Sequence, residues 1–419
     1  MTDVLLEQIA AAPDDDQPRL VWADAVGGER GELVVIQCEL ARGGLARDAA
    51  IARRQREAEL LAQHAAEWTA GFAGLAQRPT FRRGFVERAF VDAAAFPEQA
   101  DALVAAAPLL RELDVFGLQH GESSEELLGL LSRMLASPRF AMLTGLRFDR
   151  VGRTYERDSD MSPFVFESVG SGVLKLLVET GSLTHLRTLA LRQCALGNQD
   201  LAALAASPDL AAIRELDVGF QQVENYVAVA GEGVRAILDS PYLAALEALD
   251  VADLLGTAAW TSFGRQGRDD QRRRALEQAR LDVELFAHPR ILGLRSLGLA
   301  ACGLIEESID ALVAAPFSRL AKLDLSGNRV VAGSLARLGA APGFAHLEDL
   351  ATHTPSAWAN VAGFPALKVL RLRGQNLAPD AVLDLLASPL AERLEVIDLR
   401  GNAGLGADLR ELFDGLLLL

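Results

Sequence analysis

The sequence predicts a curved α/β solenoid, with parallel strands inside and helices outside, preceded by a mainly helical N-terminal domain. Three observations carry this. First, Leu-x-x-Leu-x-Leu recurs, most clearly at Leu186/Leu189/Leu191, Ile213/Leu216/Val218, Leu246/Leu249/Val251, Leu294/Leu297/Leu299, Leu320/Leu323/Leu325, Leu367/Leu370/Leu372 and Leu394/Ile397/Leu399, with weaker copies from Leu110, Leu143 and Leu347. Second, several adjacent copies lie 26 or 27 residues apart, inside the period expected of a helix-backed repeat. Third, most copies follow a proline by five residues, as at Pro138, Pro208, Pro241, Pro289, Pro342 and Pro389, while Pro316 and Pro365 stand closer to theirs.

Each regular unit divides in the same order. The leucine segment reads as a short strand whose leucines face the core and whose x positions face out. A polar turn follows. Three residues after the last leucine stand Cys194, Gln221, Cys302, Asn328, Gln375 and Asn402. Buried there, such side chains can hydrogen-bond the backbone of the bend and form a ladder through the stack. A helix rich in Ala and Leu comes next, such as Asp200–Ala206 or Pro379–Ala387. Ser-Pro or Ala-Pro then ends it, because proline cannot continue a helix.

Units of this length and motif resemble leucine-rich repeats of the ribonuclease-inhibitor type, over about 300 residues. The resemblance implies a binding surface and leaves the partner open. The array is placed at residues 106–419, with insertions at about 151–172 and 256–281.

Residues 1–105 lack the repeat. Helices are expected at Asp3–Ala11, Pro18–Ala25, Gly31–Arg42, Asp48–Trp68 and Phe96–Ala106, with a strand at Thr80–Val91. Asp14-Asp15-Asp16 before Pro18 read as a helix cap. Arg19 with Asp24, and Arg30 with Glu32, read as local ion pairs. The segments Pro13-Asp14-Asp15-Asp16-x-Pro18-Arg19-Leu20-x-Trp22-Ala23-Asp24, Glu29-Arg30-Gly31-Glu32, Ile36-Gln37 and Phe81-Arg82-Arg83-Gly84-Phe85 resemble the repeat-companion domain found at the N-terminus of many bacterial repeat proteins. The chain departs from that pattern at Ala25-Val26-Gly27-Gly28, which is short and glycine-rich. The resemblance implies no biochemical activity. A solenoid end exposes an apolar layer, so this block is expected to cap the array.

Composition bounds the rest. The chain has 419 residues, half of them hydrophobic but only 6% aromatic, so its core is expected to be Leu, Ala and Val. A net charge of −16 disfavours general nucleic-acid binding, which needs Lys and Arg against phosphates. Cys38, Cys194 and Cys302 form no CxxC, which suggests a reducing compartment. No secretory signal or charge-free apolar stretch of about 20 residues is present. A cytoplasmic location is expected, with no membrane association and no cofactor or metal.

No catalytic motif is found: no G-x-x-x-x-G-K-[ST], no H-E-x-x-H, no G-x-S-x-G. The expected function is a protein-binding scaffold. The alternatives are a sensor or inhibitor-type regulator of a partner enzyme, and an enzyme using the N-terminal acids Asp14, Asp15, Asp16 and Asp24. The outward column between the second and third leucines reads Asp114, Arg147, Ala190, Asp217, Asp250, Gly298, Asp324, Ala351, Arg371, Asp398. Candidate partner-binding residues on the concave face are therefore Asp217, Asp250 and Asp324 in its middle, and Lys368, Arg371, Arg373 and Arg400 at its C-terminal end. In the second insertion, Trp260 and Phe263 stand beside Arg265, Arg268, Arg272, Arg273 and Arg274, a second candidate surface. The unit at Leu347 lacks its third leucine, with His353 and Trp358 nearby. It reads either as a worn repeat or as a local binding feature.

Overall fold

The computed structural model describes residues 2–118, 123–156, 164–221, 231–255, 283–328, 330, 332–353, 363–405 and 416–418. The chain divides into two compact units, Met1–Val169 and Gly170–Leu419. The whole second insertion, with Trp260, Phe263, Arg265, Arg268, Arg272, Arg273 and Arg274, lies outside the described residues, as does Trp358.

In the first unit, helices α1 (Thr2–Ala11), α2 (Gln17–Val26), α3 (Gly28–Arg42) and α4 (Arg47–Trp68) precede strands β1 (Gln77–Arg82) and β2 (Phe85–Asp92). Helix α5 (Phe96–Ala106) leads to β3 (Glu112–Phe116), and β4 (Gly145–Asp149) and the antiparallel pair β5 (Gly152–Glu156) and β6 (Phe164–Ser168) follow. The five expected N-terminal helices are present, with ends shifted by at most a few residues.

The single strand expected over Thr80–Val91 is a hairpin instead. Arg83 (φ 45°) and Gly84 (φ 85°) both take left-handed backbone between β1 and β2, the two-residue turn whose twist suits antiparallel strands. A Cβ on Gly84 would lie 2.2 Å from Val34 Cγ2. Helix α3 packs that closely on the turn, and Gln37 Oε1 accepts the Gly84 N–H at 2.6 Å. Strand β2 then runs parallel to β3, and β3 to β4, in the register Phe90, Asp114, Arg147.

Two motif segments meet around Arg19, which is 1% exposed. It donates to Pro13 O, to Arg83 O and to Glu87, with 2.5 Å to the Glu87 carboxylate. The expected Arg19–Asp24 pair is thus replaced by one 68 residues away in sequence. Arg30 does not pair with Glu32 either. Its guanidinium lies 5.0–5.7 Å from the ring centroids of Trp22, Trp68, Phe81 and Phe85, while Glu32 binds Arg56 at 2.8 Å through both oxygens. Burial draws the Arg30 pKa down to about 10, and the ring faces attract the cation that water no longer hydrates. The Asp16 side chain makes no cap hydrogen bond to α2. It faces Arg42 and Arg83 instead.

The second unit stacks strand–helix repeats. Its strands are β7 (Thr188–Arg192), β8 (Glu215–Asp217), β9 (Ala248–Asp250), β10 (Ser296–Gly298), β11 (Lys322–Asp324), β12 (Asp349–Ala351), β13 (Val369–Arg371), β14 (Val396–Asp398) and β15 (Leu417–Leu418), each parallel to the next. The second leucines pair directly: Leu189, Leu216, Leu249, Leu297, Leu323, Leu350, Leu370 and Ile397. All eight are at most 2% exposed. Burying such a side chain contributes roughly 1.5–3 kcal/mol. Helices Asn198–Ala205, Gly231–Asp239, Glu306–Ala314, Ala332–Ala340 and Pro379–Leu386 fall between successive strands. Proline then opens a short turn of helix, as in Pro208–Ala212, Pro289–Leu292 and Pro342–Phe344, which delivers the chain to the next strand.

The polar ladder forms as the motif implies. Asn328 donates to Leu299 O (2.7 Å) in the preceding repeat and to Leu325 O (3.1 Å) in its own, and accepts Leu304 N–H (3.1 Å). Asn402 does the same with Leu372 O, Leu399 O and Leu377 N–H, and Gln221 with Leu191 O, Val218 O and Leu196 N–H. Cys302 donates its thiol to Val251 O at 3.3 Å, and burial pushes that thiol up to about 12. In the unit at Leu347, Thr352 (0% exposed) stands where the third leucine would be, and its carbonyl accepts from Gln375.

The residue two positions past each motif takes left-handed backbone: Gln193, Phe220, Asp253, Ala301, Gly327, Gly374 and Gly401, with φ from 50° to 79°. Glycine suits that conformation without strain, and Asp tolerates it through its short polar side chain. No leucine pattern reveals this turn.

Candidate functional site

The outward column read from the sequence is one aligned row. In the second unit the register joins Ala190 to Asp217, Asp250, Gly298, Asp324, Ala351, Arg371 and Asp398, one residue per strand. Alternation places these side chains opposite the leucine face. Asp217, Asp250, Asp324 and Arg371 are half-buried, and Asp398 is fully buried.

Most of the column's aspartates share a local role. Asp217 Oδ1 accepts Gly219 N–H (3.0 Å), Asp250 Oδ1 accepts Ala252 N–H (2.9 Å), and Asp324 Oδ1 accepts Ser326 N–H (2.8 Å). Each carboxylate thereby closes the turn that follows its strand. The second oxygen remains for other contacts. Arg192 Nη1 reaches Asp217 Oδ2 at 2.8 Å and Asp250 Oδ2 at 3.5 Å, while its guanidinium lies 4.8 Å from the Phe220 ring centroid.

Asp250 leans across the next strand. A Cβ on Gly298 would stand 2.4 Å from Asp250 Cγ, so glycine at that row position is what admits the carboxylate. Burial, then the neighbouring Asp217 charge, push Asp250 up to about 6, against the opposing pull of the Ala252 N–H and Arg192. Burial also pushes Asp253, at the following left-handed position, up to about 6. Asp324 completes the strip two strands on and also bears on the Asp250 carboxyl.

The basic end is organised differently. Arg371 holds Asp349 through two hydrogen bonds (2.8 and 2.7 Å) and approaches Asp398 at 3.5 Å. Arg373 and Arg400 both bind Asp398, Arg400 at 2.9 and 2.8 Å. Burial alone would raise the Asp398 carboxyl, but hydrogen bonds from Arg400 and Arg373 outweigh it and hold the group well below the usual range. Lys368 pairs with Glu348 at 2.9 Å. The four cations are therefore tied to carboxylates of their own and neighbouring strands. The cations stand out in the sequence, but Asp349 and Asp398 do not stand out as their partners. Asp398 was visible in the outward column, and Asp349 at the start of its strand.

Of the N-terminal acids, two meet at one arginine. Asp15 Oδ1 accepts Gln17 N–H at 2.9 Å, Asp14 and Asp16 face Arg83, and Asp24 is exposed on α2.

No family model matches the chain, and no curated protein matches it. Among solved structures the chain is similar to one described as "Crystal structure of Rad7 and Elc1 complex in yeast", at 13% identity over 93% of this chain and 92% of that one, with a TM-score of 0.40. A likeness at this level supports no statement about function.

Proposed function

We propose that the chain is a non-enzymatic protein-binding scaffold whose outward strand row, on the concave face of the repeat array, takes a protein segment with basic side chains. One observation carries this reading. Asp217, Asp250 and Asp324 sit in register around the Gly298 gap, half-buried, and Arg192 reaches the first two of them. A carboxylate kept ionised at a cost to the fold is a feature of functional surfaces. Complementary charge gives specificity and rate of encounter more than raw affinity. On this reading the array is of the ribonuclease-inhibitor type. The block at 1–105 is a repeat-companion domain that caps it through β2, and the protein is bacterial and cytoplasmic.

The test is affinity capture with the full chain, followed by mass spectrometry and a direct titration of whatever is retained. Wild type is compared with Asp250→Asn/Asp324→Asn and with Arg373→Glu/Arg400→Glu. A partner held by wild type and released from the Asp variant supports the reading. Retention that is indifferent to the Asp pair, with all three proteins folded, refutes it.

A further inference from the structure

The first unit contains a cavity of 480 Å³ between the β1–β2 turn and helices α3 and α4. This is the size of an ordinary small-molecule site. Its wall includes Gln37, Glu57, Phe81, Arg82 and Glu87. The two glutamates differ. Glu87 is compensated by Arg19 at 2.5 Å, a cation itself 1% exposed. Glu57, half-buried, takes a single hydrogen bond of 2.6 Å from Gln37 Nε2. Among the described residues no cation pairs with it. Gln37 is fixed in turn, because its Oε1 is held by the Gly84 N–H. An oriented amide and a carboxylate that forms no ion pair among the described residues thus share one cavity. A positive group fits beside Glu57, since a carboxylate attracts cations, whereas the Phe81 ring already lies 5.4 Å from the Arg30 guanidinium.

The same wall also carries the cations Arg54, Arg82 and Arg83. Arg82 has a side chain 44% exposed and spends one of its nitrogens on Glu112 at 2.5 Å. Guanidinium carries five donors in a fork that matches carboxylate, so outward donors remain for a second acid.

We propose that this cavity binds a small zwitterion of the basic amino-acid class, its side-chain cation at Glu57 and its carboxylate at Arg82. The site is separate from the strand row and stands or falls independently of the scaffold reading.

The probe is L-arginine, titrated calorimetrically into the full chain, with agmatine as the comparison. Agmatine keeps the guanidinium but lacks the carboxylate, as does an arginine side chain within a peptide. Saturable L-arginine binding with Kd on the order of 1 mM or tighter is expected, with agmatine and the Glu57→Gln variant each at least about tenfold weaker. Three results overturn the proposal: no saturation by about 20 mM, agmatine binding as tightly as L-arginine, or an unchanged affinity in Glu57→Gln. Should that variant fail to fold, the wild-type titrations with the two ligands decide.

Discussion

Replacing Asp250 with Asn should make the protein more stable at neutral pH. The variant keeps Oδ1 for the Ala252 N–H and the shape that fits over Gly298, and it removes the charge. The folded carboxyl is raised from 3.8 to about 6. Roughly two units at about 1.4 kcal/mol each set a ceiling near 3 kcal/mol for the penalty of ionising it in the fold. The side chain is 29% exposed, so water screens part of this. The lost 3.5 Å contact with Arg192 takes away a little more, although Arg192 retains Asp217. A gain on the order of 1–2 kcal/mol is expected.

The sign with pH follows from linkage. The folded pKa lies above the unfolded one, so the wild-type group contributes its stability below about pH 4 and loses it as pH rises through about 6. The gap between variant and wild type should be near zero at pH 4 and reach its full size by pH 7. Urea unfolding of both proteins across that range measures it directly. A gap that is flat with pH, or a variant less stable at pH 7.5, would refute the argument that burial and Asp217 strain this carboxylate. Loss of partner capture alongside increased stability is the expected signature of a binding residue kept at the expense of the fold.

Three further outcomes rest on single contacts. Gly84→Ala should cost at least about 3 kcal/mol in chemical denaturation, because the new Cβ meets Val34 at 2.2 Å and φ is 85°. Asn328→Ala removes the side-chain partners of Leu299 O and Leu304 N–H, while Leu325 O keeps the residue's own N–H, and at a position 2% exposed should lower stability by about 2–3 kcal/mol. Asp398→Asn should destabilise by roughly 1–2 kcal/mol at pH 7, since Arg373 and Arg400 lose their shared anion but, half-exposed, are rehydrated by water. The Asp398 pKa is depressed in the fold. The wild-type contribution is therefore present above the unfolded pKa and fades as pH falls below about 4, where the two proteins should converge.

The parallel ladder was legible because its cause is local and periodic. Leu323 and its counterparts are buried at fixed spacing, and equal spacing sets equal register. The ladder positions at Gln221, Asn328 and Asn402 followed for the same reason. What escaped is non-local or conformational. Arg19 finds Glu87 across 68 residues, and Arg30 finds rings contributed by three segments. Spacing within α2 or α3 holds no trace of either, so proximity in sequence pointed to Asp24 and Glu32. The β1–β2 hairpin did leave a signal in Gly84, but β-branched and aromatic residues on both sides outweighed it. Of the candidate site, the row was legible. Which of its charges the fold had already matched was not, because Asp349 and Arg371 come from different repeats.

The row's aspartates carry two roles that a substitution series can separate. Oδ1 of Asp324 closes the turn through Ser326 N–H, and the charge faces outward. Asparagine retains the acceptor and removes the charge, while alanine removes both. If the residue served the turn alone, Asp324→Asn would match wild type in both stability and partner binding. Asp324→Ala would then lose about 1 kcal/mol, the worth of one such hydrogen bond. If the charge also meets a basic partner, both variants should bind at least about tenfold more weakly, with only the alanine variant less stable. Binding measured by titration and stability by urea unfolding place each variant on this grid. Asn variants of Asp217, Asp250 and Asp324 that all bind as wild type does would assign the row to turn closure and remove it as a docking surface.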